Sequence, residues 1–130
     1  MKRALRIGLL ALLSLSATAA TSPRALAPAA GGLWEVATDA TGHNAEKVCV
    51  PLPEVLAQYE HRSGRCTRVV ISDVGTEVVI HYTCADGAFG QSKVTLITPR
   101  TLRIDTQGIS GGLPFHYQLH ARRVGACVAR

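Results

Sequence analysis

The stretch Cys66-Thr-Arg-Val-Val-Ile-Ser-Asp-Val-Gly-Thr-Glu-Val-Val-Ile-His-Tyr-Thr-Cys84 decides the fold. Residues 67–73 and 77–83 are rich in β-branched side chains, which suit a pleated surface. Between them Val74-Gly75-Thr76 is short and carries a glycine, the residue that accepts φ > 0 in a tight turn. Read as a three-residue loop, this turn sets Asp73 against Glu77, so facing residue numbers sum to 150. Cys66 then stands opposite Cys84. Facing residues of an antiparallel pair hold their Cα atoms roughly 4.5–5.5 Å apart, inside the range a disulfide accepts. The spacing predicts a hairpin stapled by Cys66–Cys84.

Cys49 and Cys127 are the two cysteines that remain. If the hairpin takes the middle pair, they pair with each other and tie the early part of the domain to its end. A zinc site is the weaker reading, because gaps of 16, 17 and 42 residues contain no Cys-x-x-Cys knuckle. In the chain-entropy picture the inner loop contributes about 3 kcal/mol and the outer one about 4–5 kcal/mol. With all four cysteines paired, no catalytic thiol is left.

Outward from the hairpin, the chain keeps alternating. Gly31 to Thr38 reads as a strand, with Trp34, the only tryptophan, as core anchor. Asp39 to Lys47 is turn-rich and leads to Val48-Cys49-Val50. Pro51 to Glu60 reads as one short helix ending near Ser63-Gly64, with Pro53 and Glu54 in its first turn. Leu52, Val55, Leu56 and Tyr59 would share its apolar face. Downstream, Ala85 to Gly90 reads as a loop, Gln91 to Thr98 as a strand through Val94 and Leu96, and Pro99-Arg100 as a turn. Thr101 to Thr106 alternates through Leu102 and Ile104, and Gly108 to Pro114 is a glycine-rich connection. The last strand places Phe115, Tyr117, Leu119 and Ala121 on one side and His116, Gln118, His120 and Arg122 on the other. Such alternation gives a sheet with one wet face. The expectation is a mainly β fold: a strongly curved antiparallel sheet or small barrel of about six or seven strands with one short helix. Residues 31–130 would form a single domain.

The N-terminus has a different character. Lys2, Arg3 and Arg6 precede the apolar run from Ile7 to Leu15, and small residues follow, including Ala17-Thr18-Ala19 and Ala25-Leu26-Ala27. That order is the pattern of a secretory signal peptide. Cleavage after Ala19 is preferred over cleavage after Ala27, where Pro28 would follow the cut. The run is shorter than the ~20 apolar residues a membrane-spanning helix needs, so no retained membrane anchor is expected. No cysteine precedes Cys49 to carry a lipid near either cut. Residues 20–30, small and proline-bearing, read as a disordered lead-in. Without Lys2, Arg3 and Arg6, the 14 Lys and Arg fall to 11 against 9 Asp and Glu, a net charge of +2. That balance, with no basic run longer than Arg122-Arg123, argues against nucleic acid as a partner.

The mature chain resembles the bacterial secreted family known as domain of unknown function 3617. Gly32-Leu33-Trp34-Glu35, Val48-Cys49-Val50, Cys66, Cys84 and Gly125-Ala126-Cys127 carry the resemblance by their order and spacing. It implies an exported domain with a cysteine framework and offers no catalytic residues to transfer.

Other patterns invite chemistry and meet a plainer reading. Gly108-Ile109-Ser110-Gly111-Gly112 matches Gly-x-Ser-x-Gly, but that motif works on a strand-to-helix turn, and no Asp or Glu follows Asp105. His116 and His120 share a strand face, yet four residues along a strand span ~13 Å, too far for one metal ion. Gly32-Leu33-Trp34 is similar to the Gly-x-Trp opening of lipocalin-like barrels, where Arg122 or Arg123 would pack over the tryptophan. So short a chain favours a filled core over a ligand cavity. His116, Gln118, His120 and Arg122 are therefore kept as a candidate polar binding face.

No metal, cofactor or converging acid–base set is expected, and the chain reads as a non-enzyme. The expected role is a monomeric periplasmic or secreted domain that binds an envelope or secreted protein partner or supports envelope integrity. One alternative is an inhibitor of secreted lysozymes or proteases, presenting the loop 85–90 or 108–114. Another is a lipocalin-like carrier with an apolar cavity beneath Trp34.

Overall fold

Apolar–polar alternation becomes strand along most of residues 22–128, which the computed structural model describes. The strands are β1 (Gly32–Ala37), β2 (Glu46–Val50), β3 (Cys66–Val74), β4 (Glu77–Cys84), β5 (Phe89–Thr98), β6 (Thr101–Ser110) and β7 (Leu113–Gly125). All pairings are antiparallel, in the order β2-β1-β7-β6-β5-β4-β3. The sheet curls but does not close into a barrel, leaving β2 and β3 as free edges. One set of alternating residues turns inward and is buried: Trp34 and Val36, Val78 and Ile80, Val94, Leu102 and Ile104, Leu119 and Ala121. Trp34 is fully buried, and its indole N–H donates to the Ala30 carbonyl at 3.2 Å.

The β3–β4 hairpin reaches its register by an unexpected route. Its turn has two residues, with Val74 facing Glu77, and Gly75 takes φ +60° where a type II′ turn calls for glycine. Facing numbers near the turn therefore sum to 151. A bulge between Val70 and Ser72 absorbs the extra residue, and from Val70 onward the sum returns to 150. Cys66 and Cys84 end opposite one another and are disulfide-bonded, with Cα atoms 3.9 Å apart. As an edge strand, β3 buries little, and Val69, Val70 and Ile71 are exposed.

Cys49 on β2 is bonded to Cys127, Cα to Cα 5.7 Å. Because β1 lies between β2 and β7, the tail beyond Gly125 must cross the end of β1 to make this bond.

Three expectations need correction. Residues 22–30 of the supposed disordered lead-in are ordered. Arg24–Leu26 form a 3-10 turn, and Ala25 and Leu26 belong to the main core cluster, Leu26 with 0% exposure. Asp73 at the end of β3 holds this turn by accepting the N–H groups of Arg24 (2.7 Å) and Ala25 (2.9 Å). The segment has no apolar pattern; a leucine placed over a curled sheet, together with the Asp73 carboxylate, orders it.

The second helical segment, Pro53–His61, is also 3-10, with a kink at Gln58 (φ −102°, ψ 33°). Its tighter winding and its kink change the buried face: Pro53, Glu54, Leu56, Ala57 and Gln58 are buried. Leu52 is extended and exposed, while Val55 and Tyr59 are half-buried. The Ser92 and Thr106 hydroxyls, hydrogen-bonded to each other at 2.7 Å beneath this segment, link it to the sheet through the Ala57 carbonyl.

Both supposed loops are shorter than expected. β6 runs to Ser110 and β7 begins at Leu113, so the 108–114 connection shrinks to Gly111-Gly112, with φ +58° and +78°. Two positive φ values in a two-residue hairpin are the type I′ signature. At the other position β5 already begins at Phe89. Ser110 thus lies on a β-hairpin, not on a strand-to-helix elbow.

Replacing Leu26 by alanine should lower unfolding stability by about 2–5 kcal/mol, the cost of truncating a fully buried leucine. Urea denaturation followed by tryptophan fluorescence measures it. A near-neutral value would mean that the 24–26 turn is not part of the core.

Candidate functional site

Every strand presents its other set of side chains outward, and the register aligns these into rows across the sheet. One row runs His81, Gln91, Gln107, His116, each the direct partner of the next across β4, β5, β6 and β7. A second, two residues nearer the strand ends, runs Thr83, Phe89, Ile109, Pro114. Between them lies the inward-facing row Tyr82, Gly90, Gly108, Phe115, whose two middle members have no side chain. A Cβ at position 90 would stand 2.5 Å from the Tyr82 hydroxyl, and one at 108 would strike the Phe89 carbonyl. Only glycine fits at either position. On the outer side the backbone of this pair floors a groove of about 630 Å³ bordered by both rows.

On the inner side, aromatic groups gather over the same glycines. His61 packs edge-on against Tyr82 (centroids 5.5 Å) and Phe115 (5.8 Å), and His61 Nδ1 and Tyr82 Oη are hydrogen-bonded at 2.9 Å. Phe115 also packs against Tyr117, whose hydroxyl donates to Glu60. Tyr59 donates to Glu46 at 2.6 Å with Arg62 stacked over its ring. Burial raises all three tyrosines above the usual phenol range. Tyr82 is pushed up to about 12 by desolvation and by the Glu60 charge. Tyr59 is pushed up to about 12 by desolvation and its bond to Glu46. Tyr117 is raised further by desolvation and its bond to Glu60.

The four residues of the proposed polar face do lie together on the outer side of β7, but they divide between two grooves. His116 borders the glycine-floored groove and is bonded through Nε2 to Asp105 at 2.9 Å. His120 and Arg122 border a second groove of about 420 Å³, beneath the loop that joins β1 to β2. Arg122 donates to Glu35 at 3.1 Å, and Asp39 shapes the loop by accepting the Thr41 and His43 backbone N–H groups. Thr41 and the loop backbone hold the Asp39 carboxyl below the usual carboxylate range. Gln118, exposed, sits between the two grooves.

Arg123 faces Trp34 across β1 and β7 but spends its Nε–H on the Gly31 carbonyl at 2.9 Å. Among the described residues the only arginine stacked over an aromatic ring is Arg62 on Tyr59, which corrects the expected Arg122 or Arg123 cover on Trp34. Strand parity alone would have flagged His81, Gln91 and Gln107 as outward; placing them beside His116 required the strand order.

An open, curled seven-stranded sheet with two disulfides and a packed inner face defines a small stapled β domain. The chain belongs to the family described as protein of unknown function (DUF3617), whose model matches residues 26–127. The matched span opens at the buried Leu26, the last residue of the 24–26 turn, and closes at Cys127, so it includes both disulfides. No curated protein and no solved structure matches the chain.

A phenol with a raised folded-state pKa stabilises the fold below pH ~10, where both states are protonated, and loses that contribution as pH climbs through the folded value. Alkaline titration at the phenolate absorbance should therefore show no tyrosine ionising near 10 in the folded protein and all three doing so in denaturant. Unfolding stability should fall across pH 10–12 in parallel. Native-state phenolate at pH 10 would contradict the buried cluster.

Proposed function

We propose that the domain is exported and serves in the envelope as a non-catalytic binding module, using the outer face of its sheet. The observation that carries this reading is the contrast between the two faces. Core side chains and two 3-10 segments fill the inner face, whereas the outer one holds two open grooves and, among the described residues, no covering element over β4 to β6. Export is supported by the basic–apolar–small order of residues 1–19 and by two disulfides, which persist in oxidising compartments. The buried Leu26 favours cleavage after Ala19, because a cut after Ala27 would strip the 24–26 turn from the core.

An inhibitor role draws on one further observation. Leu113 is 70% exposed beside the Gly111-Gly112 turn, at the same end of the sheet as the exposed Phe89. A rigid hairpin tip with an apolar residue suits insertion into another protein's cleft. On this reading a lytic enzyme would be the partner captured.

Introducing a photo-crosslinking amino acid at Gln118 in the producing bacterium tests the main reading. The mature protein should begin at Ala20, carry no alkylatable thiol, and give a discrete adduct with an envelope component. Free thiols, cytoplasmic retention, or adducts only from positions off the outer face would overturn it.

A further inference from the structure

We infer that the glycine-floored groove is a binding site for a neutral oligosaccharide, a deepening that rests on the outer face being the binding surface. Its chemistry argues by what it offers and what it lacks. No Lys, Arg, Asp or Glu lines the groove, and the Asp105 carboxylate beside it is engaged by His116 at 2.9 Å, so it offers little charge to a phosphate, a carboxylate or an ammonium group. A wholly apolar ligand would leave the row of imidazoles and amides facing hydrocarbon, which is costly. An occupant must therefore be uncharged, polar along one edge and apolar along the other.

Spacing narrows the class. The polar row crosses four strands, three steps of about 4.8 Å, so hydrogen-bonding groups recur over roughly 14 Å. That is longer than one sugar ring and fits a short chain of them. Each of Gln91 and Gln107 presents both a donor and an acceptor, matching hydroxyls that act as both. Phe89, 42% exposed, with Ile109 and Pro114, supplies the apolar wall against which the C–H face of a pyranose packs. Gly90 and Gly108 belong to the inward-facing row, so the floor between the two outer rows is backbone, on which a flat ring can settle. A strand-like peptide fits less well, because the groove runs across the strands and offers it no sheet edge to extend.

The test is an NMR titration of the intact disulfide-bonded mature protein with two neutral probes, tetra-N-acetylchitotetraose and maltotetraose. An uncharged extended peptide and a sulfated oligosaccharide serve as comparisons. Saturable shifts at His81, Gln91 and Gln107 with either neutral sugar are expected. Phe89→Ala, or Gln91→Ala with Gln107→Ala, should weaken binding about tenfold or more while leaving the melting temperature unchanged, as befits exposed side chains. Val74→Ala, at the opposite end of the strands beside the β3–β4 turn, should leave binding unchanged. Silence with both neutral sugars, shifts elsewhere on the molecule, tighter binding of the sulfated sugar, or the peptide alone filling the groove would each overturn the inference. If the sugars are silent while Gln118 still yields its adduct, only this inference falls; if neither is seen, the outer-face reading falls with it.

Discussion

An antiparallel sheet that curls without closing leaves two strands paired on one side only, and in this domain each of those strands carries a disulfide. Cys49 pins β2 to the tail beyond β7, and Cys66 pins β3 to β4. Edge strands are where a small sheet frays and where it pairs wrongly with other chains. The two crosslinks act on that weakness from opposite sides. One closes a long loop and removes much unfolded-state freedom; the other fixes the register of a strand that buries almost nothing of its own. The bulge at Ile71 adds a second safeguard, since a kinked edge is a poor template for a further strand.

Much of this architecture was legible in the sequence because it depends on period-two alternation. The inward set on the last strand, Leu119 and Ala121, and the outward set, His116, Gln118, His120 and Arg122, follow from parity alone. The hairpin shows how parity tolerates local error. A three-residue turn and a two-residue turn followed by a bulge deliver the same partners to Cys66, and only the structure distinguishes them. The segment around Leu26 was not legible: Ser-Pro-Arg-Ala-Leu-Ala-Pro has no period, and its order comes from Asp73, forty-eight residues away from Ala25. The helix was found but its buried face was misread, because 3.6-residue spacing was applied to a chain winding at three.

The candidate site was half legible for a different reason. Side-chain direction is local information, but neighbourhood across a sheet depends on strand order. Here β4 to β7 pair in succession, which carries His116 into line with residues as far as thirty-five positions away in the chain. No pattern within a single strand announces that line. Gly90 and Gly108 read in the sequence as loop residues; they lie within strands, directly paired.

That glycine pair joins the two faces of the sheet. On the inner side, the Tyr82 ring lies over Gly90 and the Phe115 ring approaches Gly108, so each aromatic occupies the space its partner leaves open. Rings laid over cross-strand glycines restore packing that the missing side chains forfeit. On the outer side, the backbone of the same pair floors the groove between the amide row and the apolar row. The core therefore constrains the groove. A side chain added at position 90 would meet the Tyr82 hydroxyl on the inner side, and Tyr82 is tied to His61, which packs in turn on Phe115. The floor of the exposed groove is backed by packing on the buried side, which places it on paired strands rather than on a loop. A site built this way gains its preorganisation from the fold itself.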